Sequence, residues 1–181
     1  PTPPDQLLSA YARAQEQYAA HGITTIQDGM AVEEMFPMYQ MLLDSGILKL
    51  DLVVYPSPQA YDAAVERFGA LPPERHLRIG GMKVYLDGSP QGRTAWMREP
   101  YAGEADYRGY GTMEDAALEE AMELACLRRT QLLCHCNGDG AAEQFLRCLA
   151  QVEQKHPEMA QLRPVIIHGQ LLAPDQLPRV K

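Results

Sequence analysis

This 181-residue sequence predicts an α/β fold, a parallel sheet with helical crossovers. Three observations predict it. Segments with a helical repeat of apolar residues alternate with short β-branched runs along the chain. Successive strand-like runs are separated by a helix-length crossover, the signature of parallel βαβ units. The length suits one domain able to bury a core of its own, and no internal repeat or low-complexity segment stands out.

Taken in order, residues from about Pro4 to Ala20 suit an amphipathic helix, with Leu7, Leu8, Tyr11, Ala14 and Tyr18 on one side and Gly22 closing it. Ile23 to Gln27 is short and β-branched, as a buried strand would be. Val32 to Leu43 predicts a second helix, closed near Ser45-Gly46. Leu48 to Tyr55 predicts a strand ending at Pro56. Ser57-Pro58 caps a third helix through about Phe68, with proline in the first turn where its missing N–H costs nothing. Leu77 to Leu86 contains a further strand, followed by an irregular stretch from Asp87 to Gly111. Met113 to Arg129 is expected to be the longest helix. Leu132 to Cys136 predicts a strand, Gly140 to Lys155 a helix, and Val165 to His168 the fifth strand. Ala173-Pro174-Asp175-Gln176 has the composition of a helical first turn.

Two architectures fit this order, an open doubly wound sheet and part of an eight-stranded barrel, and both place ligand chemistry at the carboxyl ends of the strands. The first βα turn, Gln27-Asp28-Gly29-Met30, lacks a glycine-rich dinucleotide fingerprint, and no phosphate loop occurs, which argues against nucleotide binding.

Composition narrows the partners. A net charge of -8 argues against nucleic acid, whose phosphates need clustered Lys and Arg. There is no long apolar run and no charged-then-apolar start, so neither a membrane span nor a signal peptide is expected. Cys126, Cys134, Cys136 and Cys148 lack the paired spacing of a disulfide framework or zinc ribbon. Reduced thiols in a cytoplasmic protein are the expectation, with a small molecule as partner. The sequence opens at Pro1 without an initiator methionine and stops at Lys181 just after a helix start. An excerpt of a longer protein would begin and end this way.

Candidate chemistry lies near the carboxyl ends of three strands. In the segment 81–88, alternation puts Lys83, Tyr85 and Asp87 on one side. His135 ends one strand, facing opposite to Cys134 and Cys136, and His168 ends the next. Histidines closing two successive parallel strands are placed to face one another, and neutral imidazole ligates zinc and similar ions. A lone strand-end histidine is more commonly a packing residue, and Lys83 could snorkel out of the sheet edge. The three residues 134–136 cannot all chelate one ion, because neighbours on a strand face opposite ways; small cysteines packed under helices account for them better. His21, His76 and His156 fall in connections or at helix ends, where a solvated role is expected. The long connection from Gly88 to Gly111 carries Arg93, Trp96 and Tyr101, and loops of that length commonly contact substrate; Asp87, Arg93 and Trp96 are the candidates there.

Together these motifs resemble the amidohydrolase superfamily, and within it the amidohydrolase-3 type of metal-dependent hydrolase. Gly22-Ile23-Thr24-Thr25-Ile26-Gln27-Asp28 is similar to that family's second barrel strand. Lys83-Val84-Tyr85-Leu86-Asp87-Gly88-Ser89, continuing through Arg93-Thr94-Ala95 to Glu99-Pro100-Tyr101, resembles its fourth strand and following loop. His135-Cys136-Asn137-Gly138-Asp139 and His168-Gly169-Gln170-Leu171-Leu172 resemble the segments of its fifth and sixth strands. Order and spacing match over essentially the whole chain.

The resemblance implies a partial (β/α)8 TIM barrel, about strands two to six, with the first, seventh and eighth strands lying outside residues 1–181. It implies that His135 and His168 are metal ligands and that Lys83 is the fourth-strand lysine which, in binuclear members, CO2 carboxylates to bridge two metals. Carboxylation would turn an ammonium into an anionic oxygen donor, and the metal, zinc as the resemblance implies, would activate water against a carbonyl. The family's first-strand His-x-His pair and eighth-strand Asp have no counterpart here. Asn137 and Cys136 replace more usual apolar and small residues, and Ile167 stands where a Glu often precedes the histidine. The expected function is hydrolysis of an amide or cyclic amide C–N bond by the parent protein. The alternative is a non-catalytic regulatory or binding module derived from an amidohydrolase. Alone, these residues are expected to bind metal weakly or not at all, to be inactive, and to self-associate through sheet edges at Ile23–Gln27 and Val165–His168.

Overall fold

A computed structural model describes residues 3–180, which fall into two compact units, one ending at Gly81 and the other beginning at Met82. Each is a three-stranded, wholly parallel sheet with helical connections.

In the first unit, helix α1 (Pro4–Ala20) leads into β1 (Thr25–Ala31), α2 (Phe36–Ser45), β2 (Asp51–Pro56), α3 (Tyr61–Phe68) and β3 (Leu77–Ile79). Strand β2 is central. Its run Leu52-Val53-Val54-Tyr55-Pro56 is buried throughout because it pairs with β1 on one side and β3 on the other. The core sets Phe36, Tyr39, Leu42 and Phe68 against Leu52, Val54 and Leu77. The Phe68 ring meets Phe36 edge-on at 5.5 Å and Tyr39 at 6.1 Å, the arrangement favoured by aromatic quadrupoles. Gln15 is the buried residue of α1. Its amide donates to the Ile47 carbonyl at 3.1 Å and accepts from the Lys49 and Leu50 N–H groups at 2.7 and 3.2 Å, tying the helix to the approach of β2.

The second unit contains β4 (Met82–Tyr85), α4 (Asp115–Arg128), β5 (Leu132–Cys136), α5 (Asp139–Lys155), the single turn α6 (Met159–Leu162) and β6 (Val165–His168). Strand β5 is central, with Tyr85 opposite His135 in one ladder and Cys136 opposite His168 in the other. Leu118, Ala121, Met122, Ala125 and Cys126 make the buried stripe of α4, at the i, i+3, i+4, i+7, i+8 spacing of a helix on a sheet. All four cysteines are free and buried.

Four expectations change. The first strand runs Thr25–Ala31 rather than Ile23–Gln27, so Gln27-Asp28-Gly29-Met30 is part of the strand and not a βα turn, and Ile23 is exposed. The segment Leu77–Leu86 is not one strand but two, β3 in the first sheet and β4 in the second, giving six strands rather than five among the described residues. The break is Gly80-Gly81. A side chain at position 80 would collide with Val53 and the Tyr55 ring, so the chain passes close over β2 as only glycine can. Helix α4, at 14 residues, is shorter than α1 and α5 at 17 each. The segment Ala173–Gln176 forms turns and leads into a single 3-10 turn, Leu177–Arg179. The Gln176 side chain explains this. It is fully buried and bonds to the Ala173 N–H at 3.1 Å and the Asp139 carbonyl at 2.8 Å, so it competes with helical pairing. Among the described residues no helix is long and apolar enough to cross a membrane.

Candidate metal centre

The second unit brings Lys83, Tyr85, His135 and His168 together at the carboxyl end of its sheet. The parallel register puts the ends of β4, β5 and β6 side by side. The His135 and His168 rings lie 4.6 Å apart, nearly perpendicular, and the Tyr85 ring lies 4.7 Å from His135 on the β4 side. The Lys83 ammonium sits 5.6 Å from the centre of the Tyr85 ring, within cation–π range.

His135 is oriented by its neighbours. Its Nε2 lies 3.0 Å from the Gly88 carbonyl oxygen, which has no proton to give. Nε2 therefore carries the proton, and Nδ1 keeps its lone pair. A carbonyl fixing one imidazole nitrogen so that the other is free to ligate is the usual arrangement behind a metal-bound histidine. Asn137 reinforces it by donating to the same carbonyl at 2.8 Å. This departure from the family pattern thus has a local structural role.

His168 is held in an unusual backbone conformation. Its φ is 74°, left-handed and rarely taken by a residue with a side chain, and Gly169 follows at 54°. Such conformations cost about 1–2 kcal/mol and persist where surrounding structure fixes them, frequently at functional sites. Here the Gly169 N–H is held by the Cys136 carbonyl at 3.0 Å and the Leu171 N–H by the Asn137 carbonyl at 2.9 Å. Burial lowers the His168 pKa below the ordinary 6.5; the neighbouring His135 and Lys83 lower it further, against Asp87, which raises it. The imidazole is thereby kept neutral at neutral pH, the form that ligates.

That depression has a sign. The unfolded chain holds the His168 proton more tightly than the folded one, so acid favours unfolding. The contribution of His168 is harmless above pH 6.5 and costs stability as pH falls below it toward the depressed folded value. NMR titration of the metal-free protein is expected to show His168 titrating below an ordinary histidine, and a value at or above 6.5 would contradict this packing.

Asp87 is buried at 2% exposure. Its carboxylate accepts the backbone N–H groups of Asn137 at 2.9 Å, Gly138 at 2.7 Å and Trp96 at 3.0 Å, and its Oδ1 lies 3.5 Å from His135 Nε2. It therefore joins the end of β4, the end of β5 and the loop between them. Trp96 acts through its backbone too, its carbonyl accepting the Gly140 N–H at 2.9 Å, and a side chain at Gly138 would collide with it. Arg93 pairs with Glu104 at 2.7 Å and lies over the Tyr101 ring, exposed on the loop. The loop is packed: Met97 and Tyr101 donate to the Arg108 and Tyr107 carbonyls, and Arg98 bridges Asp139 at 3.0 Å and Asp175 at 2.8 Å. The Arg98 guanidinium drives the Asp175 carboxyl down to about 2.

The donor set fits a divalent cation. It offers one imidazole with a fixed free nitrogen, a second whose pKa its surroundings lower, and a lysine beside Tyr85 whose charge reaches His168 and which needs carboxylation before it can ligate. What sequence reasoning missed is the supporting layer, namely the Gly88 carbonyl, the Asn137 amide and the inward turn of Asp87. The strand alternation that groups Lys83 with Tyr85 stops at Tyr85, so it carries no information about Asp87.

Comparison with known proteins places these residues in context. The model of the Amidohydrolase family matches residues 1–181. The chain is 29% identical over 104 residues to "Putative amidohydrolase YtcJ" of Bacillus subtilis (strain 168), an alignment covering 58% of this chain and 19% of that protein. An uncharacterized metal-dependent hydrolase from Pyrococcus furiosus superposes with a TM-score of 0.77 at 28% identity, covering 93% of this chain and 34% of its own. Another from Pyrococcus horikoshii OT3 gives 0.79 at 26%, covering 99% and 35%. The chain thus spans about a fifth of the curated relative and about a third of each solved structure.

Proposed function

The chain belongs to the amidohydrolase family, and from that premise we propose that its second unit carries part of the metal site of a hydrolase that cleaves amide or cyclic-amide C–N bonds. The observation that carries the proposal is the pair of imidazoles, 4.6 Å apart, next to the carboxyl end of β5 and at that of β6, two adjacent parallel strands. The solved structures that the chain resembles are described as metal-dependent hydrolases, which agrees with such a site.

His135 would bind through Nδ1, its Nε2 being committed to the Gly88 carbonyl, and His168 through a ring whose pKa is lowered by partial desolvation and by its neighbours His135 and Lys83. Lys83, once carboxylated, would add an anionic oxygen, and imidazole with carboxylate-type oxygen suits zinc. A bound divalent cation supplies Lewis acidity, lowering the pKa of water and polarising a carbonyl. The protein's own part is orientation. Asn137 donates to the Gly88 carbonyl and Asp87 fixes the Asn137 backbone, which together hold the His135 ring, while Tyr85 offers an apolar face and a phenol beside His135, at 38% exposure. Between Asp87 and Glu114, the loop pinned by Arg98 is the part of the chain placed to meet a substrate.

The test uses the intact protein with a panel of N-acyl amino acids and cyclic amides. Hydrolysis is expected to disappear on exhaustive chelation and to return with added zinc. Turnover that persists in metal-free protein would reject the reading.

A further inference from the structure

A second group of metal-type donors lies at the other end of the same sheet. Cys126 is on the last turn of α4, and His156 and Glu158 lie between α5 and α6. These segments lead into the amino ends of β5 and β6, whereas His135 and His168 lie at or next to the carboxyl ends. One ligand atom from each of Cys126, His156 and Glu158 falls within 4.8 Å of the others, the one such His, Cys, Asp or Glu grouping among the described residues. They line an open depression of about 430 Å³ together with Glu123, Leu127 and Arg129.

We propose that Cys126, His156 and Glu158 form a second metal site, for zinc or a similar borderline-to-soft divalent ion, with water completing the coordination. The donor types carry the argument. Thiolate, imidazole and carboxylate are the three side chains that zinc takes, and three protein ligands leave an open fourth position. Around tetrahedral zinc, bond lengths of about 2.0–2.3 Å place donor atoms about 3.3–3.8 Å apart. His156 Nδ1 and Glu158 Oε1 are already 3.4 Å apart. The remaining closure falls on His156 and Glu158, whose side chains are 37% and 54% exposed, whereas the sulfur is buried. Glu123 is not counted as a ligand because Lys155 holds it at 3.3 Å.

The surroundings favour a cation. Burial and the Glu158 and Glu123 carboxylates push the Cys126 thiol up, keeping it protonated in the metal-free protein. Those carboxylates attract a cation into the same place, and on binding the thiol gives its proton to solvent. Met159 packs its sulfur 3.5 Å from that of Cys126, adding a polarizable wall. With the site at the foot of the strands, away from the candidate metal centre, the ion would join α4 to the α5–α6 connection. Its role is structural: it fastens the two helices that cover the sheet.

Cobalt(II) distinguishes this site from the other, because only this one supplies sulfur. Titration of the intact protein with cobalt(II) is expected to give a thiolate-to-cobalt charge-transfer band in the near ultraviolet. The band should vanish in Cys126→Ser and survive in Cys148→Ser. Glu158→Gln and His156→Gln should weaken cobalt binding at this site by at least about 10-fold, the loss expected when a donor is removed. Circular dichroism matching the parent would show that each variant is folded. No band in the parent protein, or a band that survives Cys126→Ser, would overturn the proposal. Loss of the band together with unchanged amide hydrolysis would support it as a site separate from the candidate metal centre.

Discussion

Replacing His168 by alanine or His135 by alanine in the intact protein is expected to lower amide hydrolysis by at least about a thousand-fold, or about 4 kcal/mol of transition-state stabilisation. Each substitution removes one of two imidazoles at neighbouring strand ends, and the other groups nearby are poor replacements: Tyr85 is a phenol, Lys83 is an ammonium until carboxylated, and the Asp87 carboxylate is taken by three backbone N–H groups. His168→Gly separates chemistry from folding. Position 168 has a φ of 74°, where glycine is at ease and any other residue is strained. The glycine variant should therefore be as inactive as the alanine variant, yet match or exceed the parent in stability, by up to about 1 kcal/mol. Steady-state kinetics beside thermal unfolding decides it. A variant that turns over like the parent would remove His168 from the metal site. One that is inactive and clearly less stable would mean that the ring serves packing more than ligation.

How far the sequence foretold this arrangement depends on which link is asked about. Strands β5 and β6 run Leu132–Cys136 and Val165–His168, as expected, because each is a short apolar run with sharp boundaries. The opposite facing of His135 and its two cysteines also follows from strand geometry alone, and the cysteines are buried while the histidine is half-buried. What was not legible depends on contacts distant in sequence. Gly80-Gly81 reads as part of one apolar run until the closeness of Val53 and Tyr55 shows why two strands are needed. Asp87 looks like a substrate-loop residue because it is charged and stands in a long loop. Only the positions of the Trp96, Asn137 and Gly138 N–H groups show that its carboxylate is consumed inside. His156 is a half-exposed helix-end residue, as expected, and only the fold shows that a ligand atom of Cys126 lies within 4.8 Å of one of its own. Local pattern finds the residues that touch a ligand, whereas the layer that aims them is written in tertiary contacts.

Asp87 is where that layer is most exposed to a single substitution. Asp87→Ala leaves the N–H groups of Trp96, Asn137 and Gly138 without an acceptor in a region that water does not reach. At roughly 1–3 kcal/mol for each buried group left unpaired, partly relieved by local movement, a loss of about 3 kcal/mol or more is expected. Asp87→Asn is the finer test. The Trp96 and Gly138 N–H groups both donate to Oδ2, and the Asn137 N–H donates to Oδ1. An asparagine with its oxygen at the δ2 position keeps two bonds and turns an NH2 against the third donor; the flipped amide keeps one and opposes two. The variant should therefore be intermediate, losing about 1–2 kcal/mol. Both substitutions also free the segment carrying the Gly88 carbonyl, which fixes the His135 tautomer. Metal affinity should consequently fall about 10–100-fold in Asp87→Ala, with less loss in Asp87→Asn. Thermal unfolding of the metal-free protein measures the first effect and zinc competition with a chromogenic chelator the second. If asparagine proves as damaging as alanine to both, the negative charge near His135, at 3.5 Å, matters more than the hydrogen-bond count. If neither changes either, Asp87 does not hold this site together.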